Sequence, residues 1–161
     1  MSLATDVEVI AQVINDAAQA YQGVIPADRW HVPYMGIAEL ESEIADGVRF
    51  RTLSVAKEVV AVMGIQDRGE VHLLRHAYVR TKHQGRGLGT RLLRELRQQT
   101  TTPILVGTWK AASWAVRFYQ RHGFRVMDDA TAERLLKTYW QIPQRQIETS
   151  VVLASADFQS I

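Results

Sequence analysis

The chain has 161 residues, 47% hydrophobic and 22% charged, an ordinary globular composition for a single domain over residues 1–161 with a substantial core. It has no cysteine, which excludes disulfides, thiolate metal sites and a Cys nucleophile. The net charge of +2 is too small to argue for a nucleic-acid partner, and neither a signal peptide nor a membrane-spanning apolar run is readable, so a cytoplasmic protein with no membrane partner is expected.

Thr5-Asp6-Val7-Glu8 fits a capping box. Val7, Ile10, Ile14, Ala17 and Tyr21 give the buried stripe of a first helix, which Gly23 and Pro26 end. Arg29-Trp30-His31-Val32-Pro33-Tyr34-Met35 is then an unusual loop, whose aromatics, His and Arg can line a pocket or simply pack. Ile37, Leu40 and Ile44 mark a second short helix stopped by Gly47. Val48 to Val55 and Val59 to Ile65 read as strands joined by a hairpin at Ala56-Lys57-Glu58. The second of them is apolar on both faces and should be central. Asp67-Arg68-Gly69-Glu70 is the next turn. A strand from Val71 to Val79 carries His72, Arg75, His76 and Tyr78 among its apolar residues, and polar groups on a buried strand need partners or water.

The loop after that strand, Val79 to Gly89, holds glycines at 85, 87 and 89 and opens a helix striped by Leu88, Leu92, Leu93 and Leu96. Glycines free the backbone N–H groups to turn inward, and the helix N-terminus adds partial positive charge, a combination suited to phosphate. A Walker loop requires a Lys before its final Ser or Thr, and here Gly89-Thr90 has none. The dinucleotide fingerprint requires G-x-G-x-x-G and a later acid, and neither is present. From Arg80 to Arg97 the basic residues are Arg80, Lys82, Arg86, Arg91, Arg94 and Arg97, against the single acid Glu95. That imbalance suits a polyanionic cofactor, although Arg94 and Arg97 read better as a solvated helix face.

Thr100-Thr101-Thr102-Pro103 breaks the chain, and Ile104 to Trp109 is a strand. Lys110 to His122 reads as a helix closed by Gly123, Phe124–Met127 as a short strand and Ala132 to Trp140 as a further helix. Pro143 ends that helix. Gln146–Ala154 is the last strand, alternating Ile147, Thr149, Val151 and Leu153 against Glu148 and Ser150. Strands and helices in this order give an α/β or α+β domain with helices on both sheet faces.

Gln84-x-x-Gly87-x-Gly89, after a strand and before an amphipathic helix, resembles the Q/R-x-x-G-x-G/A acyl-CoA loop of the GCN5-related N-acetyltransferases (GNAT). Ala115-Val116-Arg117-Phe118-Tyr119-Gln120-Arg121-His122-Gly123-Phe124 is similar to that family's later A-I-x-F-Y-x-x-x-G-F segment, in the family's order and at a family-like separation. The resemblance covers Val71 to Phe124 well and the flanks in outline. It implies the acyl-CoA N-acyltransferase fold, with a mixed, mostly antiparallel sheet splayed between the fourth and fifth family strands. The family's N-terminal strand is missing or reduced here.

The resemblance implies transfer of acetyl from acetyl-CoA to a primary amine, with a small-molecule or peptide acceptor. It assigns the cofactor to Gln84, Gly85, Arg86, Gly87, Leu88, Gly89 and Thr90, with Tyr78 and Val79 beside the pantetheine. The family often has Asn where this chain has Ala112, so that cofactor contact is in doubt, and Ser113 can replace it. Trp30, His31, Tyr34 and Trp109, with Trp140 and Arg145, can shape the acceptor pocket. The family habit of pairing last strands also raises a homodimer.

The chemistry asks for two groups. Only a neutral amine attacks a thioester, and a lysine-like amine has an unperturbed pKa of about 10.4, so a base or desolvation must remove its proton. The departing thiolate needs a proton, and a Tyr hydroxyl can supply it at neutral pH. Tyr119 matches the family Tyr in this role, lying about 100° round the helix from Phe118, which should take the core face with Ala115. Glu70, His72, His76 and Glu148 are candidate bases, His76 first because its type titrates near neutral pH, and bound water is an alternative. Transfer is direct, since no Cys can carry the acyl group. A non-catalytic acyl-CoA sensor or partner-binding module would keep the loop and not depend on Tyr119.

Overall fold

The computed structural model describes residues 7–140 and 142–159. The expected cap at Thr5-Asp6 lies outside them. The described chain folds as two compact units. One contains the residues up to Asp67 together with Leu74–Thr101; the other contains Arg68–Leu73 together with the residues from Thr102 on.

The first unit opens with helix α1 (Val7–Ala18), which a 3-10 turn prolongs to Tyr21. Its stripe is the expected one, with Ile10, Ile14, Ala17 and Tyr21 buried. Helix α2 (Ile37–Ala45) buries Leu40 fully but leaves Ile37 exposed, so its apolar stripe is narrower than the spacing suggests. At its end Gly47 N–H bonds the carbonyl of Ile44 and Val48 N–H that of Glu43, a two-bond C-terminal cap. Strands β1 (Arg49–Val55) and β2 (Glu58–Asp67) pair antiparallel, with Val55 opposite Glu58. The hairpin loop is therefore Ala56 and Lys57 alone, both with positive φ, and Glu58 already belongs to the strand. β2 is buried without interruption from Val60 to Gln66, as a strand covered on both faces must be. Strand β3 (His72–Val79) follows, then helix α3 (Leu88–Gln99), which buries Leu92, Leu93 and Leu96. Ile10, Ile14, Leu40, Phe50 and Val62 form one core here, each large side chain stabilising by roughly 1.5–3 kcal/mol.

In the second unit the start of β3 is followed by strand β4 (Ile104–Trp109), helix α4 (Ser113–Arg121), strand β5 (Arg125–Val126), helix α5 (Asp129–Tyr139), helix α6 (Gln144–Glu148) and strand β6 (Ser150–Ala154). β6 lies between β4 and β5 and is antiparallel to both. The strands are ordered β1-β2-β3-β4-β6-β5 in one mostly antiparallel sheet. Val71, Leu73, Leu105, Leu136, Trp140 and Val152 make the core of this unit. No helix among the described residues is long and apolar enough to cross a membrane.

Several boundaries differ from the sequence reading, three of them with a local cause in the hydrogen bonds. α4 starts at Ser113, because Lys110 and Ala111 turn back: Lys110 N–H bonds Thr149 O and Ala112 N–H bonds Trp109 O. α5 starts at Asp129, three residues upstream of the expected start, because the Asp128 carboxylate accepts from Thr131 N–H at 2.8 Å and caps it. The largest difference is at Gln146–Glu148, which is helical and not strand. Pro143 caps this helix with preset φ, and the Ser150 hydroxyl bonds Gln146 O at 2.6 Å, closing the turn. The expected alternation fails accordingly: Val152, Leu153 and Ala154 are buried in succession.

Candidate active site

The glycine loop belongs to the first unit. Arg80 leaves β3 anchored to β2, its N–H bonding Val60 O and its Nε bonding Val59 O, both at 2.8 Å. Thr81 N–H reaches the Asp16 carboxylate of α1 at 2.7 Å, and a 3-10 turn spans Thr81–His83. Gln84 Nε2 donates back to Val79 O at 3.2 Å, closing the base of an exposed loop. Gly85 and Gly87 have φ of 82° and 77°, and nothing lies within 4 Å of where a Cβ would stand on either. Here the glycines are required by backbone conformation, and the space over them is open. Gly87 caps α3, so Leu88, Gly89 and Thr90 form its first turn, where N–H groups have no intrahelical acceptor and the helix dipole is positive.

The basic residues of this stretch divide. Lys82 pairs with Glu58 at 3.4 Å, Arg91 with Glu95 at 3.8 Å, and Arg80 is held by carbonyls. Arg86 Nη1 stands 3.3 Å from His83 Nδ1, at the loop itself.

Upstream on β3, His76 has a positive φ of 56°, a conformation rare for a side-chain-bearing residue and concentrated at functional sites. Its Nε2 is 2.6 Å from Glu43 Oε1 on α2, and its ring stacks on Phe50 at 6.1 Å. Arg75 Nη2 lies 3.4 Å from the same Glu43 oxygen, while Arg75 Nη1 donates to Gln66 Oε1 at 3.1 Å. Gln66, almost fully buried, donates in turn to the carbonyl and carboxylate of Asp46. Burial works to raise the Glu43 carboxyl pKa, but the His76 hydrogen bond and charge and the Arg75 guanidinium outweigh it and hold the group below its ordinary value. Glu43 was missed in the sequence. The available signal was its place three residues after Leu40, an acid on the buried side of an amphipathic helix.

Trp30, His31 and Tyr34 are brought together in this unit. Tyr34 stacks on Trp30 at 5.9 Å and on His31 at 6.2 Å, and meets Tyr21 at 5.4 Å. Tyr78 joins through Tyr21, ring edge to ring at 6.2 Å. Asn15 holds the end of the segment, donating to Met35 O at 3.0 Å and accepting from Met35 N–H at 2.7 Å.

The second unit holds Trp109, Ala112 and Tyr119. Trp109 is buried at the end of β4, and Ala112, fully buried, is the residue before α4. Tyr119 is the buried residue of α4, its ring edge-on to Phe118 at 5.1 Å and to Phe124 at 5.7 Å. This corrects the expected facing: Phe118 is only half-buried and packs on His122, and Tyr119 is the residue of α4 that is buried. The other candidate bases are engaged in this unit. His72 Nδ1 is 2.5 Å from Thr102 Oγ1, and Glu70 accepts from the Tyr139 hydroxyl at 3.0 Å. Glu148 ends α6 instead of standing on the last strand. Trp140 is a core residue, and Arg145 is exposed on α6.

An α/β chain with this loop at the head of a helix has the framework of a CoA-type acyltransferase. Residues 13–138 match the sequence model of the acetyltransferase (GNAT) domain, and the chain belongs to that family. No curated protein matches it. Among solved structures, it is similar to the PaiA N-acetyltransferase from Thermoplasma acidophilum in complex with coenzyme A, at 14% identity and a TM-score of 0.70, over 94% of this chain and 92% of that one. A GNAT-family acetyltransferase from Staphylococcus aureus Mu50 gives 16% identity and 0.70 over 96% and 94%. A GNAT-family acetyltransferase from Elizabethkingia anophelis with acetyl-CoA bound gives 20% and 0.57 over 73% and 81%. Likeness at these identities establishes the fold.

Proposed function

We propose that the protein is an N-acetyltransferase that moves acetyl from acetyl-CoA directly to a primary amine. The observation that carries this reading is the open loop at Gly85 and Gly87, left-handed in backbone and with nothing within 4 Å of where a Cβ would stand, at the N-terminus of α3. A pyrophosphate suits such a cradle, and Gln84 to Thr90 would hold it, with Arg86 adding charge. Tyr78 and Val79 would run beside the pantetheine, whose amides can bond a strand edge as a peptide would. Ala112 can offer no side-chain hydrogen bond to the cofactor, and Ser113 is the replacement this reading assigns.

Acetyl-CoA, when bound, supplies the thioester whose acyl carbon the amine attacks. His76 takes the proton that the amine must lose. Tyr119 gives its hydroxyl proton to the sulfur as the carbon–sulfur bond breaks, and recovers it from solvent. Trp30, His31 and Tyr34, with Trp109, bind the acceptor. A soluble cytoplasmic location fits this activity.

The test is calorimetry of acetyl-CoA, with ATP as control, on wild type and Gly87→Trp, both checked for folding by thermal melts. Micromolar acetyl-CoA binding, absent for ATP and lost in the variant, is expected. No binding at millimolar acetyl-CoA to folded wild-type protein overturns the reading.

A further inference from the structure

We infer that Glu43 is a positioning residue for the base: its carboxylate on α2 fixes the ring and tautomer of His76 so that Nδ1 presents the lone pair to the acceptor amine. This rests on the reading of His76 as the base and adds a residue and a role to it.

The argument starts from valence. An ionised carboxylate can only accept, so the 2.6 Å contact to Glu43 Oε1 puts the hydrogen of a neutral imidazole on Nε2. Nδ1 is then the nitrogen with a free lone pair. The side chains are 16% and 17% exposed, so water competes little for the bond. Glu43 is ionised in this setting, since its carboxyl is held below its ordinary value. Arg75 Nη2 lies 3.4 Å from the same oxygen and gives the carboxylate a counter-charge besides the imidazole.

Three further contacts fix the geometry. Phe50 covers one face of the imidazole. The left-handed backbone at His76 sets the direction of its Cβ, a conformation that costs of order 1–3 kcal/mol and persists only where the surroundings over-determine it. Gln66 holds Arg75 in place and is itself bound to Asp46, just past the end of α2. The pattern is that of a base oriented by an acid that keeps its own charge: the proton leaving the amine nitrogen goes to Nδ1, the Nε2 hydrogen stays in the Glu43 bond, and the imidazolium later loses the Nδ1 proton to solvent.

The experiment reads the ring nitrogens of His76 by long-range proton–nitrogen NMR, in wild type, Glu43→Gln and Glu43→Asp. CoA release from acetyl-CoA is measured alongside, with putrescine, lysine amide or alanine amide as acceptor, and His76→Asn included. Wild type should show the Nε2–H tautomer. Glu43→Gln should mix the two tautomers and slow CoA release roughly 10- to 100-fold, with Glu43→Asp recovering part of both. Because the wild-type tautomer needs no variant, a variant that fails to fold leaves the test standing. An Nδ1–H tautomer in wild type, or a Glu43→Gln protein unchanged in tautomer and rate, overturns the inference. If His76→Asn is slow in that case, the base assignment survives without Glu43. If His76→Asn releases CoA at the wild-type rate, the base assignment fails and the role of Glu43 fails with it.

Discussion

Gly64 on β2 lies so close to Arg75 on β3 that a Cβ on the glycine would stand 2.9 Å from the Arg75 carbonyl oxygen, with Val48 Cγ1 at 3.0 Å and Phe50 Cε1 at 3.1 Å. The obstructing oxygen is backbone and cannot swing aside. It belongs to the residue before His76, and Phe50 is the ring on which His76 stacks. Gly64→Ala is expected to destabilise by roughly 1–3 kcal/mol. It should also shift the ring resonances of His76, while a substitution at a remote surface position leaves them alone. Thermal melts and the NMR reading of His76 check both parts.

Glu43 gives a prediction in pH. Its carboxyl is held below its ordinary value of 4.5, so the stability it contributes is present above that value and is lost as pH falls through the lower, folded one. The melting-temperature gap between wild type and Glu43→Gln should be present at about pH 5 and close as pH falls below about 4.5. A gap that stays constant to pH 3 would mean that the charge of Glu43 contributes nothing.

Tyr119 combines packing with proton transfer, and two substitutions separate them. Tyr119→Phe keeps the ring between Phe118 and Phe124 and should stay folded with wild-type acetyl-CoA affinity, while kcat falls roughly 10- to 10³-fold. Tyr119→Ala should lose about 3–5 kcal/mol of stability through the cavity it leaves. Full turnover by Tyr119→Phe would remove the hydroxyl from the mechanism.

Tyr34 is the centre of the aromatic cluster with Tyr21, Trp30 and His31. Tyr34→Ala should raise KM for the amine roughly 3- to 10-fold, the scale of one lost aromatic pairing, and leave the calorimetric affinity for acetyl-CoA unchanged. Equal losses for both substrates would argue that the cluster is only core.

The legible part of this fold was local. Helical stripes such as Ile10, Ile14 and Ala17, the apolar run of β2, and the glycines flanking α3 are patterns within a dozen residues, and the structure keeps them. Gln146–Glu148 was misread because Ile147 and Thr149 fit a strand alternation as well as a helical turn, and the short segment was decided by the Pro143 cap and the Ser150 hydroxyl. The Asp128 cap was readable and overlooked. Glu43 and His76 are 33 residues apart, and nothing in spacing announces that pair. Their partnership exists only because β1 and β2 intervene and bring α2 to the residue of β3 with left-handed backbone. The candidate loop was visible as residues; the support behind His76 was not.

The two-way clasp of Asn15 on Met35 has a consequence for acceptor choice. Upstream, Tyr21 is buried and meets Tyr78 of β3 ring edge to ring. Downstream, one amide side chain satisfies both backbone groups of Met35. The residues between them are thus tethered at both ends by contacts that do not depend on what lies in the middle. A segment framed in this way is exchangeable: its length and side chains can be altered while α1 and the sheet beneath keep their places. Laboratory selection for a new amine would do best to randomise positions 29–34 and leave Asn15 untouched.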